Sequence, residues 1–198
     1  MSTDLFLALL GFATVTLFTP GPNNLMLMAS GTNFGFGRTV PHMLGVALGF
    51  GAMVFLVGLG LMGLFERLPQ LETVLKFAAI AYLGWLAWKI AHAAAPDAGG
   101  DDGARPLTFW QAAAFQWVNP KGWSMALTAV AAYAPDRSFA TIVIVALAFL
   151  TIGLPSSGLW ALMGREFRRL LTNPRRLTLF NWTMAALLIA SLYPVLFA

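Results

Sequence analysis

The chain has 198 residues, 59% of them hydrophobic and 10% charged, against about 25% charged in an average soluble domain, so its composition is that of an integral membrane protein. It has no cysteine, which excludes disulfides and thiolate metal sites, and two histidines, His42 and His92, are too few for a histidine-based metal centre. The net charge of +4 does not point to nucleic acid: five of the twelve basic residues (Arg165, Arg168, Arg169, Arg175, Arg176) lie between two apolar runs, where basic segments set membrane topology.

A membrane span needs about 20 mostly apolar residues. Six segments qualify: Leu5–Ser30, Val40–Phe65, Leu71–Ala95, Phe109–Tyr133, Phe139–Met163 and Leu177–Ala198. Met1-Ser2-Thr3-Asp4 lacks the basic start of a secretory signal, so the first run reads as a retained span. Connections are short except for residues 96–108, a Gly- and Asp-rich loop that divides one transmembrane domain, 1–198, into halves 1–95 and 109–198. Each half holds three spans, so the second enters the membrane from the opposite side. The expected fold is therefore all-α, six transmembrane helices in a 3+3 inverted repeat.

Segments following spans one, three and five carry eight basic residues, and those following spans two and four carry Arg67 and Arg137 only. The first set belongs in the cytoplasm and both termini outside. Trp85, Trp88, Trp110, Trp160 and Trp182 fall near the same ends, as an interfacial belt requires.

The first span of each half is interrupted, by Thr19-Pro20-Gly21-Pro22-Asn23-Asn24 and by Asn119-Pro120-Lys121-Gly122. Irregular backbone at membrane depth must be buried in protein or line a watery cavity, and matched broken helices point to a transporter's substrate site. The breaks lie ~22 Å and ~16 Å from the ends at which their spans begin, approaching the middle from opposite faces. Pro20 and Pro22 cannot donate into the helical ladder, so carbonyls near Thr16 and Phe18 become acceptors suited to an ammonium group. The resumed helix offers unpaired N–H groups that suit a carboxylate, beside the amides of Asn23 and Asn24.

Lys121 is the one basic group deep in a span, and no acid is expected at its depth. An intramembrane cation is costly and faces a cavity by default. Its expected partners are carbonyls of the breaks or an anionic group on a substrate; the competing reading is snorkelling to the interface. Trp117, Trp123, Ser156 and Ser157 are candidate cavity walls, the serines lying in Pro155-Ser156-Ser157-Gly158 of span five. Gly45 and Gly49 read as a helix-packing face. His42 reads as interfacial, with proton carriage as the alternative. Glu72 and Lys76, one turn apart, read as a solvated pair.

These motifs resemble the lysine-exporter and homoserine/threonine-resistance family of bacterial amino-acid efflux proteins. The resemblance rests on Thr19 to Asn24, the Gly45/Gly49 stretch and Asn119-Pro120-Lys121, with matching length and hydropathy throughout. Trp85 to Ala91, Phe109-Trp110, Gln116 and Trp160 to Gly164 are similar to the cysteine/O-acetylserine exporter branch. The resemblance implies a multi-pass protein of the bacterial inner membrane that moves small amino acids or their derivatives outward, driven by the proton gradient. No cofactor is implied, and a homo-oligomer is compatible. On this reading Lys121 and the helix start after Pro22 hold the substrate carboxylate, and the carbonyls before Pro20, with Asn23, Asn24 and Asn119, hold its ammonium. Apolar, aromatic walls favour small neutral side chains. A passive channel is the alternative. An intramembrane hydrolase built on Ser157 and His42 lacks an acid to orient the histidine.

Overall fold

The computed structural model describes residues 1–61, 67–68, 70–93, 105–171 and 173–193. These form α1 (Thr3–Phe18), α2 (Pro22–Phe34), α3 (Phe36–Leu56, continued by a π-helical turn Val57–Leu61), α4 (Gln70–Ala91), α5 (Phe109–Phe115, followed by a 3₁₀ turn Gln116–Val118), α6 (Pro120–Tyr133), α7 (Phe139–Leu170) and α8 (Pro174–Ala190), with no strand among the described residues.

Phe36–Leu61, Thr73–Ala91 and Phe139–Leu170 are each long and apolar enough to cross a membrane, and the pair α1 and α2, bent by 52°, makes a fourth span if counted as one. The remaining two expected spans do not meet this measure, so the six-span arrangement is not established by helix length and hydropathy among the described residues. One is divided into α5, the 3₁₀ turn and α6, and the other is the 17-residue α8. Most of the expected loop, residues 96–104, lies outside the described residues, as do Phe65 and Ala95 at the ends of spans two and three, residues 194–198 of span six, and the Glu72 side chain of the expected pair with Lys76.

Two boundaries differ from the sequence reading. Span two begins at Phe36, because Gly35 at φ 80° makes the turn that a side chain resists, and Pro41 lies within the helix it opens. Span five runs to Leu170, so Arg165, Arg168 and Arg169 ride on helix α7 rather than on a loop. Glu166 ties this end together, 2.6 Å from Arg165 and 2.8 Å from Arg169. Trp85, Trp88, Trp110 and Trp182 are exposed, whereas Trp160 is half-buried against the apolar cluster around Met26 and Leu27.

Helix α7 packs along α2, α3 and α1, while α3 also packs on α5 and α4 on α8. Glycines set the two closest approaches. A Cβ at Gly31 would stand 2.1 Å from the Ala161 carbonyl oxygen, and one at Gly164 2.1 Å from that of Met28, so α2 and α7 meet backbone to backbone. Gly45 and Gly49 do the same for α3 and α5, where added Cβ atoms would stand 2.3 Å from the Phe109 oxygen and 2.6 Å from Ala113 Cα. Small residues admitting one backbone to another is the usual basis of helix association in lipid. The largest core cluster, around Leu9, Phe50, Met53, Val145 and Phe149, fills the end near the chain's start.

Candidate functional site

Helix α1 ends at Phe18, the backbone runs extended through Thr19 and Gly21, and α2 starts with Pro22 in its first turn. In the second half, Asn119 is extended at φ −88° and ψ 108°, and α6 starts with Pro120. Both resumed helices carry proline where a missing N–H is harmless, and neither has a side-chain cap on its N-terminus. The exposed N–H groups and positive dipole end therefore favour negative charge at both breaks.

The two breaks meet. Lys121, one residue into α6, donates from Nζ to the carbonyls of Thr19 at 2.8 Å and Pro20 at 3.3 Å. The stem of the side chain lies against Gly21, where a Cβ would stand 2.7 Å from Lys121 Cδ. That packing explains the glycine, since its φ of −177° is open to any residue. Lys121 does not snorkel away. Among the described residues the ion pairs are Arg165–Glu166 and Arg169–Glu166, so its charge faces carbonyl oxygens and no carboxylate.

The acceptors in use fall among the carbonyls before Pro20, at Leu17 and Thr19. The Leu17 oxygen accepts from Asn24 Nδ2 at 2.8 Å and from Ser156 Oγ at 2.8 Å, and the Thr19 oxygen accepts from Asn24 Nδ2 at 2.9 Å besides Lys121. The cause is local: once the chain turns out of the helix, these oxygens swing towards side chains of α2, α6 and α7 that can reach them. Asn24 and Ser156 thus hold the break from within, and Lys121 holds it from the other half.

Asn23 pairs with a residue outside the expected set. Its Nδ2 donates to Gln116 Oε1 at 2.8 Å and Gln116 Nε2 returns the bond at 3.1 Å, also donating to the Ala112 oxygen at 2.8 Å. Gln116 is fully buried. A glutamine four residues before a mid-span proline was the available signal, because a buried amide in an apolar span needs a partner. Asn119 is also buried, and its Oδ1 has no hydrogen-bond partner. Trp117 and Trp123 stack edge to face at 6.0 Å, and Trp123 Nε1 donates to the Trp117 oxygen at 2.9 Å.

Thr19 and Pro20 are exposed, so their side of the break is open. Its inner side is nearly closed: Leu17, Asn23, Asn24, Phe50, Phe149, Ser156 and Ser157 line a cleft of about 20 Å³. A larger pocket of about 300 Å³ opens at the end of the molecule that carries the basic segments, lined by parts of α2, α3, α4 and residues 105–107. His42 lines it at 1% exposure, and Ser157 lines the other cleft. The sequence reading also missed the reciprocal amide pair of Asn33 and Asn181, at 2.9 and 3.1 Å, which ties α2 to α8.

Residues 14–190 match the family model of the LysE type translocator. The chain is 32% identical over 192 residues to the cysteine/O-acetylserine efflux protein of Klebsiella pneumoniae, covering 96% of this chain and 95% of that protein. It is 33% identical over 173 residues to proteins of the same name from Escherichia coli K12 and Shigella sonnei, covering 86% of this chain and 87% of each. No solved structure matches the chain. A family match over residues 14–190, together with relatives covered over most of their length, makes this chain a member of the LysE type translocator family.

Proposed function

We propose that the chain is a secondary active exporter of small neutral amino acids or their derivatives, of the cysteine, O-acetylserine, homoserine or threonine type. It works by alternating access around the two breaks and is driven by the proton gradient. The observation that carries this reading is the contact of Lys121 Nζ with the Thr19 and Pro20 carbonyls. A cation resting on bare carbonyl oxygens is half of a zwitterion site. An amino acid entering between them gives its carboxylate to Lys121 and its ammonium to the carbonyls, so both sides exchange a partner without exposing a charge. Asn23, Asn24, Asn119 and the start of α2 complete the shell. The names of the relatives support the same cargo class.

Six spans in a 3+3 inverted repeat follow if α1–α2, α5–α6 and α8 each count as a crossing. Exchanging the two halves maps span one on four, two on five and three on six. The principal packing pairs map onto themselves under that exchange: one with five becomes four with two, one with two becomes four with five, one with six becomes four with three, and two with five, three with six and one with four are unchanged. The glycine-clamped pairs α2–α7 and α3–α5 each join the broken span of one half to the second span of the other, one through the segment after its break and one through the segment before it. They make two stiff units, bridged at the breaks by Lys121 and by Asn23–Gln116. Rocking of one unit against the other opens the closed cleft. The distribution of basic residues puts both termini in the periplasm, with the protein in the inner membrane.

The test is uptake of radiolabelled cysteine, O-acetylserine, homoserine, threonine, leucine and lysine into everted vesicles, energised and then uncoupled. Uphill uptake of a small neutral member that collapses on uncoupling is expected. Equilibration without accumulation would mean a channel.

A further inference from the structure

The pocket at the basic end has the features of a binding site separate from the breaks. Its deep wall carries His42, 1% exposed, and neither ring nitrogen has a hydrogen-bond partner. The other buried polar groups on its walls are satisfied: Ser30 shares a hydrogen bond with Thr39 at 3.0 Å, and Asn33 is paired with Asn181. A buried imidazole without partners is an exception to the rule that buried polar groups are bonded, and in its neutral form it offers one donor and one acceptor. The exposed side carries Lys89 and Arg105, neither in an ion pair among the described residues, and the remaining wall is largely apolar. The volume of about 300 Å³ is ample for a small amino acid.

The pocket also points at the break. Met26, Ser30 and Asn33 line it, and they share one face of α2 with Asn23, three residues before Met26. The Asn23–Gln116 pair therefore stands about one helical turn, ~4.5 Å of rise, beyond the pocket's inner wall.

We propose that this pocket is a second, entry-side binding site for a small amino acid, whose carboxylate faces Arg105 and Lys89 and whose ammonium or side-chain polar group meets His42. The assignment rests on the exporter reading for its ligand class and orientation, but not on Lys121. Cargo is captured here first and passes the Asn23–Gln116 pair to reach the break.

The absence of cysteine from the chain permits a direct test. Ser30→Cys, a conservative change on the pocket wall, is labelled with a membrane-impermeant methanethiosulfonate added outside everted vesicles, with and without O-acetylserine, which carries no thiol. Ala29→Cys serves if the first variant folds poorly. Several-fold slower labelling with O-acetylserine is expected. The protection persists when Lys121→Ala is added, and it is lost with His42→Leu or with Lys89→Gln and Arg105→Gln together. Absence of protection, or protection that vanishes with Lys121→Ala, overturns the second site. Neither result touches the exporter reading, which stands or falls on uphill uptake by the unaltered protein.

Discussion

Gly21→Ala isolates the contact on which the transport reading depends. The backbone at Gly21 has φ −177° and ψ 178°, so alanine fits without strain. The added Cβ, however, stands 2.7 Å from Lys121 Cδ and 3.1 Å from Nζ, where ordinary contact begins at 3.4 Å. The side chain must withdraw by about 0.7 Å, the deficit at Cδ. Such a shift brings the 2.8 Å bond to the Thr19 oxygen to the limit of hydrogen-bonding distance and takes the 3.3 Å contact with Pro20 beyond it. A substrate takes the place of these two bonds, so what the shift costs in binding is the alignment of Nζ with the substrate carboxylate, a hydrogen bond to a charged group that contributes about 1.5–3 kcal/mol when well placed and loses part of that when displaced. A net loss of about 1 kcal/mol in substrate binding corresponds to a KM raised roughly fivefold. The new methyl group also occupies the space between Nζ and the carbonyls that a zwitterion enters. The assay is the initial rate of O-acetylserine uptake into everted vesicles over a range of concentrations, normalised to protein present, with Gly11→Ala as control because nothing lies within 4 Å of a Cβ there. An unchanged KM in Gly21→Ala would refute the reasoning, as would a loss accompanied by a large fall in Tm.

Gly164→Ala and Gly31→Ala place a methyl group 2.1 Å from backbone oxygens that cannot step aside. Overpacking of this kind costs about 1–3 kcal/mol or more, so both should lower Tm in detergent well below that of Gly21→Ala. Gln116→Leu leaves the Asn23 amide without its partner at a cost of about 1–3 kcal/mol; Asn23→Leu with Gln116→Leu should recover much of the Tm but not transport, as a double-mutant cycle on both readouts will show. Outside the spans, the hydrogen bond from Ser138 holds the Asp136 carboxyl below its ordinary value, with Thr141 adding to the effect. A carboxylate depressed in the folded state contributes stability above its unfolded pKa and loses it as pH falls through the folded one. The fall of Tm in acid should therefore be shallower in Ser138→Ala, which also loses the cap on Thr141, with a lower Tm at neutral pH.

The breaks were legible because proline removes a donor wherever it stands, and a lysine in lipid must find oxygen. That logic offered Lys121 the carbonyls of the breaks or an anionic group on a substrate, and the structure has it on the Thr19 and Pro20 oxygens of the other half. The same logic named the carbonyls before Pro20 as a group and not which side chain takes which, since the swing of the chain after Phe18 depends on Asn24 and Ser156, whose reach is a matter of packing. The Gly45/Gly49 face was readable from its spacing. Gly31 and Gly164 were not, because neither has a second glycine four residues away on its helix, and each gains meaning only from the other. His42 beside Pro41 resembled an interfacial residue in sequence; its burial depends on how α2, α4 and residues 105–107 close around α3. The arginines at 165–169 read as a loop because hydropathy ends with the lipid, while helix α7 continues beyond it to Leu170.

The most direct test of the zwitterion site uses O-acetylserine uptake in everted vesicles, with its decarboxylated amine and its deaminated acid as competitors, in the unaltered protein and in Lys121→Ala. The account predicts that the unaltered protein is inhibited poorly by either half-molecule. It also predicts that Lys121→Ala takes up O-acetylserine with greatly reduced affinity and no longer prefers it over the amine. Uptake in Lys121→Ala with unchanged affinity and unchanged preference for the carboxylate would contradict it.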